Sequence, residues 1–187
     1  MQDTHEGLCR QPNSHGCFIC GLANPIGLKI VFVQDRERKQ VCAQLTVPEQ
    51  YRSYPGVVHG GIVATILDET SGRALMAHSG DVDDFFVTAK MEVRYRRATP
   101  TNTPLLAVGW VEHYGERARV RGELRLVDNG PVEPMTEGTI VLAECTSLVV
   151  RAQPEFLDNW DQEAPHWRVY SDSELAEAGA DVQASPR

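Results

Sequence analysis

Residues 57–69 constrain the fold of this chain most strongly, because within this segment a loop changes into an apolar helix. The dipeptide Pro55-Gly56 interrupts any regular structure before it. Gly60 and Gly61 then expose bare backbone at the start of the helix. Small and apolar side chains follow at helical spacing, at Val63, Ile66, Leu67, Thr70 and Ala74. This spacing predicts a central helix from Gly60 to about Ala77, with its end at residues 78–80.

Two features of this helix point to chemistry. Its first turn presents unpaired N–H groups and the positive end of the helix dipole, which suit an oxygen that becomes negative. Further along, Asp68 and Glu69 interrupt the apolar run. Burying a carboxylate there costs free energy unless it forms an ion pair or serves a chemical function. Gly60 and Asp68 are separated by about 12 Å along a helix that rises roughly 1.5 Å per residue. One small reacting group cannot contact both within one chain, so we predict a homodimer with the site at the interface.

The same stretch resembles the signature of a known family. His59-Gly60-Gly61, followed by an apolar-flanked carboxylate, is similar to PaaI-type acyl-CoA thioesterases of the hot-dog fold. Three further blocks match one branch of that family in order, namely residues 17–28 (CFICGLANPIGL), residues 54–58 (YPGVV) and residues 93–100 (VRYRRATP). The resemblance covers about residues 17–150. It implies the hot-dog fold and a hydrolysis of acyl-CoA to a free acid and coenzyme A.

The pattern of the remaining elements leads to the same fold class, α+β. Two strands are predicted before the helix, at residues 28–33 and 41–47, and four after it, at residues 87–96, 105–112, 118–126 and 139–150. Short loops make the later strands antiparallel, and the one long apolar helix must cover the sheet. Gly72 inside the helix predicts close approach of another backbone. We divide the chain into a loose lead-in (1–16), the hot-dog domain (17–150) and an acidic C-terminal tail (151–187), in which Ser171 and Glu174 predict a capped helix.

The resemblance assigns the catalytic carboxylate to Asp68. It acts either as a general base on water or as a nucleophile on the thioester carbonyl, and the sequence does not choose between them. The alternative is a structural ion pair between Asp68 and an arginine such as Arg73. Glu69 is the second candidate for the carboxylate. Gly60 is the expected oxyanion-hole donor through its backbone N–H.

Further residues are assigned secondary roles. His59 is expected to orient the loop rather than act as a base, since no nucleophile accompanies it as a triad requires. Thr88 matches a hydroxyl that in some relatives holds the attacking water, and Ser53 replaces an Asn found in others. Gly61 is expected to help bind substrate. Three arginines are candidates for contact with the phosphates of coenzyme A, namely Arg94, Arg96 and Arg97. The alternative is that they are solvated or salt-bridged, as most surface arginines are.

Composition limits the partners. The net charge of −8 argues against a general nucleic-acid binder. There is neither an apolar run of about 18 residues nor an N-terminal signal, so we expect a cytoplasmic protein without a membrane span. Five cysteines, an odd number, favour reduced thiols. Cys9, His15, Cys17 and Cys20 suggest zinc as an alternative, but a second ligand pair is missing. We therefore expect no metal and no cofactor, coenzyme A being part of the substrate.

Two classes of function remain open. The first is an acyl-CoA thioesterase, and the second is a non-catalytic module of the same fold that binds acyl thioesters. A carboxylate at Asp68 favours the enzyme, because a binder has little reason to keep a charge against an apolar ligand. A hydratase is disfavoured, since His59 and His78 lie at the two ends of the predicted helix. The acyl group, the choice between dimer and tetramer, and the roles of the tail and of Cys9, Cys17 and Cys20 stay open.

Overall fold

The described part of the chain contains a seven-stranded antiparallel sheet with one long helix packed against it. The computed structural model describes residues 8–127, 140–153 and 158–180. The strand order in the sheet is β1-β2-β3-β7-β8-β9-β6. The sheet strands are β1 (Leu8–Arg10), β2 (Val33–Asp35), β3 (Gln40–Thr46), β6 (Phe86–Tyr95), β7 (Pro104–His113), β8 (Arg117–Leu126) and β9 (Ile140–Arg151). A small hairpin, β4 (Arg52–Tyr54) and β5 (Val57–Val58), precedes the helix.

The long helix, α1 (Gly60–Ser79), confirms the prediction of a central helix to within two residues. His59 caps its start, and the backbone N–H of Gly80 bonds the carbonyl of Met76 at its end. The five positions at helical spacing, Val63, Ile66, Leu67, Thr70 and Ala74, are each at most 2% exposed. The apolar stripe read from the sequence is therefore the face that the helix buries against the sheet.

Helix and sheet approach each other closely at Gly109 of β7, where an added Cβ would lie 2.5 Å from the carbonyl oxygen of Thr70. A side chain at this position would push the helix off the sheet. Such a role was expected of Gly72, but no other element of the described chain approaches it. Apart from its chain neighbours and the adjacent helix backbone, no described atom lies within 4 Å of a Cβ added at Gly72, because this face of the helix borders a cavity.

The N-terminal segment differs from the predicted loose lead-in, as far as it is described. Residues 8–10 form β1, which pairs with β2. Gln11 and Asn13 are at most 2% exposed, and the amide of Asn13 donates to the carbonyls of Cys20 and Ile30. These polar side chains are buried because they satisfy backbone groups. Residues 1–7 lie outside the described part.

The first predicted strand is also displaced. Residues 28–32 run in an irregular course that is buried from Ile30 onwards, and regular pairing starts at Val33. Their backbone groups still find partners, since Ile30 donates to the carbonyl of Ile19 and Gln11 donates to that of Phe32.

The C-terminal segment is attached to this core. Asn13 forms an antiparallel bridge with Arg168, and Leu175 is 1% exposed and packs with Val31. Two short helices, α2 (Trp160–Glu163) and α3 (Asp172–Glu177), belong to it. The predicted capping box is confirmed, because Ser171 and Glu174 exchange both bonds. Residues 154–157 and 181–187 of the tail lie outside the described part. Within that part, no helix is long and apolar enough to cross a bilayer.

Candidate active site

A cavity of about 600 Å³ opens beside the middle of α1. It brings together three predicted site residues, Asp68, Glu69 and Thr88. Side chains of the N-terminal turn and of the tail line it as well, including Cys17, Cys20, Trp160 and Trp167. We call it the carboxylate cavity.

Asp68 lies in this cavity without an ion-pair partner among the described residues. Its side chain accepts one hydrogen bond, from Thr88 Oγ1 to Oδ1 at 2.8 Å. Thr88 stands in β6 next to an irregularity in the pairing with β9. The carboxylate is thus held by a neutral hydroxyl, and its charge stays available for a reaction in the cavity.

Glu69 is engaged in a different way. Its Oε1 accepts from Arg73 Nε at 2.7 Å, and Arg73 is 2% exposed. Arg73 also donates to the carbonyl of Pro12 at 2.9 Å, and its guanidinium lies over the ring of Phe32 at 4.6 Å. The ion pair that the sequence analysis considered for Asp68 is therefore formed by Glu69 instead.

The start of α1 is organised by His59. Its Nδ1 accepts from the backbone N–H of Gly61 at 3.0 Å, so that one of the exposed donors of the first turn is satisfied. The N–H of Gly60 has no acceptor within the described ranges. Tyr95 donates its hydroxyl hydrogen to the carbonyl of Gly60 at 2.8 Å. Of the two glycines, Gly60 is the one whose N–H stays free for a ligand.

Gly60 borders a second cavity, of about 430 Å³, which we call the glycine cavity. Ser53, Arg96 and Arg97 line it too, as predicted substrate-binding residues. Arg96 is paired with Glu144 at 2.7 Å. The two remaining candidates, Gly61 and Arg94, are exposed and line neither cavity.

No residue is shared between the linings of the two cavities. Within one chain, the free carboxylate and the free N–H therefore face different spaces. This arrangement agrees with the separation of about 12 Å expected along the helix.

Three aromatic side chains form much of the carboxylate cavity's wall. Trp160 and Trp167 were expected from the sequence to shape the substrate entrance, whereas Phe85 was not singled out. Phe85 packs against Trp160 and Trp167, with ring centroids 4.6 and 5.7 Å apart. Trp167 also donates its indole N–H to the carbonyl of Val82 at 3.2 Å. Apolar content alone does not distinguish a cavity wall from a hydrophobic core. The position of these three aromatic residues outside the strands matched by the family was the sequence signal that could have indicated a cavity wall.

Two thiols complete the wall. A hydrogen bond between Cys17 and Cys20 is the main cause of opposite shifts, because it lowers the pKa of Cys20 to about 7 and raises that of Cys17. Burial raises the pKa of both thiols, so at Cys20 it opposes the net downward shift. The sequence showed this Cys-x-x-Cys pair but not its place beside α1.

Comparison with known proteins shows which family this chain resembles. The family profile described as "Thioesterase superfamily" matches residues 55–134. A solved structure described as a thioesterase superfamily protein is 27% identical, with a TM-score of 0.60 over 73% of this chain. Residues 55–134 and the fold of this chain are thus similar to those of the thioesterase superfamily. This chain covers 60% of that protein, so the remainder of that protein has no counterpart in the match.

Two further solved structures, both described as thioester-cleaving proteins, show similarity to this chain in the fold only. One is a putative thioesterase from Ralstonia eutropha JMP134 described as phenylacetic acid degradation-related, with 19% identity and a TM-score of 0.53 over 66% of this chain and 85% of that one. The other is a mutant acyl-CoA hydrolase from Staphylococcus aureus, with 20% identity and a TM-score of 0.53 over 64% of this chain and 70% of that one. The predicted hot-dog fold is confirmed. The thioesterase profile includes Gly60, Asp68 and Thr88, whereas Cys17, Cys20 and the tail tryptophans lie outside it.

Proposed function

We propose that this protein hydrolyses an acyl-CoA thioester to a carboxylic acid and coenzyme A, as a homodimer that combines the carboxylate of one chain with the helix start of the other. The observation that carries the proposal is the presence of a free carboxylate, Asp68, and a free N–H, Gly60, on one helix of the region that matches the thioesterase superfamily. This match supports a thioester substrate, and the coenzyme A part is inferred from the sequence resemblance.

Asp68 supplies the reactive group. A carboxylate with no cation beside it can take a proton from water or attack the carbonyl carbon itself. Thr88 fixes one of its oxygens and leaves the other for the reaction. Both routes pass through a state in which the thioester oxygen becomes negative, and this oxygen needs a donor.

Gly60 is that donor. Its N–H stands at the positive end of α1, and such a preorganised donor stabilises an oxyanion without reorganising at the moment of reaction. His59 supports it indirectly, because the bond from Gly61 to His59 Nδ1 fixes the loop that leads into the helix.

The strand β6 supports an arrangement in which two copies bring these groups together. It is the last strand of the sheet, and no described strand pairs with its outer edge. A ten-residue exposed edge is an aggregation risk unless another element covers it. Thr88, which bonds Asp68, stands near one end of β6, and Tyr95, which bonds Gly60, stands at the other. Antiparallel pairing of β6 with its copy, centred on Met91 or on Glu92, would bring the Asp68 end of one chain beside the Gly60 end of the other.

The two cavities then become parts of one site. The carboxylate cavity holds the acyl group against Phe85, Trp160 and Trp167. The glycine cavity of the second copy offers Arg96 and Arg97 to the phosphates of coenzyme A.

The test is a release assay over a panel of acyl-CoA esters with short, long, branched and aromatic acyl groups. Free coenzyme A is separated by chromatography and quantified, because the five cysteines of the chain would react with a thiol reagent. We expect catalytic release from at least one member of the panel. Saturable binding of acyl-CoA by calorimetry, with no release from any ester, would contradict the enzyme and leave a binding module.

A further inference from the structure

Three ligand atoms from two distant segments meet in the wall of the carboxylate cavity. The sulfur atoms of Cys17 and Cys20 and a carboxylate oxygen of Glu69 all lie within 4.8 Å of one another. The first two residues belong to a turn between β1 and β2, and Glu69 belongs to α1. The sequence analysis set zinc aside because a second ligand pair was missing. The fold supplies the third ligand from a residue that no local pattern connects with the cysteines.

The turn that carries the cysteines is tightly specified. Gly21 donates its N–H to the carbonyl of Cys17 at 2.9 Å, and an added Cβ at Gly21 would lie 2.4 Å from that oxygen. Only glycine permits this closure, which keeps both sulfur atoms on the side that faces α1. The backbone N–H of Ile19 donates to Cys17 Sγ at 3.3 Å. Such a bond supports a negative sulfur and orients it.

The charges around the cluster favour a divalent cation with ionised thiols. Two thiolates and the Glu69 carboxylate carry three negative charges, and a divalent cation together with Arg73 carries three positive ones. A buried group of charges that cancel avoids the cost of an uncompensated ion. Arg73 bonds one oxygen of Glu69, as the outer partners of metal-binding carboxylates do. One of its terminal nitrogens, Nη2, is buried and has no hydrogen-bond partner within the described residues.

We propose that Cys17, Cys20 and Glu69 bind a zinc ion in the wall of the carboxylate cavity. Thiolate ligands select zinc over magnesium or calcium, which prefer oxygen. Three protein ligands leave one tetrahedral position for water or for a group in the cavity. The cavity itself provides a route for the ion, since all three ligands line it. The ion would tie the N-terminal turn to α1, and this inference does not depend on thioester hydrolysis.

The first test uses cobalt(II) as a spectroscopic probe on the full chain, stripped of metal and kept reduced under exclusion of oxygen. We expect one equivalent to produce the thiolate-to-cobalt charge-transfer absorption and the visible bands of a tetrahedral site, both lost on addition of zinc. Cys17→Ser and Cys20→Ser should lose the charge-transfer absorption. Glu69→Gln should keep it and bind cobalt about tenfold more weakly or worse. Cys9→Ser is the matched control, because it removes a half-buried thiol outside the cluster, and it should bind as the wild type does.

The second test needs no variant. X-ray absorption of the zinc-loaded wild type should show two sulfur ligands at about 2.3 Å and oxygen ligands at about 2.0–2.2 Å. Absence of charge-transfer absorption in the reduced wild type would overturn the proposal. So would a shell without sulfur, or absorption that survives in a Cys17→Ser variant whose melting curve shows that it is folded. A wild type whose two thiols form a disulfide, and which binds no metal after reduction, would replace the metal site with a redox pair.

Discussion

Replacing Gly60 by proline removes the one N–H that the proposed mechanism needs and little else. Gly60 is the first residue of α1, where proline is well tolerated because its missing N–H has no helical partner. His59 has φ −60° and ψ 133°, a conformation that suits the residue before a proline. A Cβ at Gly60 lies 3.6 Å from the Tyr95 ring, which is ordinary contact.

The expected magnitude follows from the loss of an oxyanion donor. Gly60→Pro should lower kcat by about 10²–10³-fold with little change in KM, as is usual for a group that acts on the transition state. Gly60→Ala is the matched control, because it adds the same Cβ and keeps the N–H. Steady-state kinetics on the best acyl-CoA of the panel, with melting curves of both variants, makes the comparison. Equal kcat in the two variants would refute the role of this N–H.

The same variant tests the contribution of a second copy. Gly60→Pro and Asp68→Asn chains, co-expressed with different tags and purified as the mixed dimer, contain one site with both groups intact and one with neither. The mixed dimer should recover about half of the wild-type kcat, because one of two symmetric sites is complete. A mixed dimer as inactive as its parents would show that both groups act within one chain.

Three further predictions concern the supporting structure. Thr88→Val keeps the shape of the side chain and removes the bond to Asp68, so kcat should fall about fivefold, equivalent to roughly 1 kcal/mol, whereas Thr88→Ser should stay near wild type. Gly109→Ala should lower the free energy of unfolding in urea by about 1–3 kcal/mol or more, because its Cβ meets the Thr70 carbonyl, whereas Gly72→Ala should raise it by about 1 kcal/mol. Hydrogen bonding from Arg168 and Ser171 lowers the pKa of Glu174 from 4.5 to about 2, so its stabilisation of α3 should be lost as the pH falls from about 4.5 towards 2, seen as a change in tryptophan fluorescence that Glu174→Gln lacks.

Each of these has a result that would count against it. Equal activity of the valine and serine variants at Thr88 would make that bond irrelevant to turnover. A Gly109→Ala protein as stable as wild type would mean that helix and sheet adjust freely at this close contact. An acid transition that is identical in wild type and Glu174→Gln would assign it to other carboxylates.

The central helix and the later strands were predictable because their side chains repeat with a clear period. The buried positions Val63, Ile66 and Ala74 follow the period of the helix, and a single helix facing four strands leaves one way to cover the sheet. The N-terminal segment was not predictable in this way. Gln11 and Asn13 look like loop residues in the sequence, and they are buried because distant carbonyls accept their amide hydrogens.

The candidate site was predictable in part for a similar reason. Asp68, Gly60 and Thr88 were found through motif spacing, which is a local property of the chain. The partner of Arg73 was not, since Asp68 and Glu69 are adjacent in sequence and only the direction of each side chain decides which one pairs. The meeting of Cys17 and Cys20 with Glu69 required the packed turn, and the aromatic wall required the tail to fold back over β6.

The central claim is that Asp68 acts chemically on a thioester, and its most direct test is the kinetics of Asp68→Asn. This variant keeps the shape of the side chain and removes its charge. On the best acyl-CoA of the panel, the account predicts a fall in kcat of about 10²-fold or more with little change in KM, while Glu69→Gln loses much less. A wild-type kcat in Asp68→Asn would contradict the account, and a collapse confined to Glu69→Gln would transfer the role to Glu69.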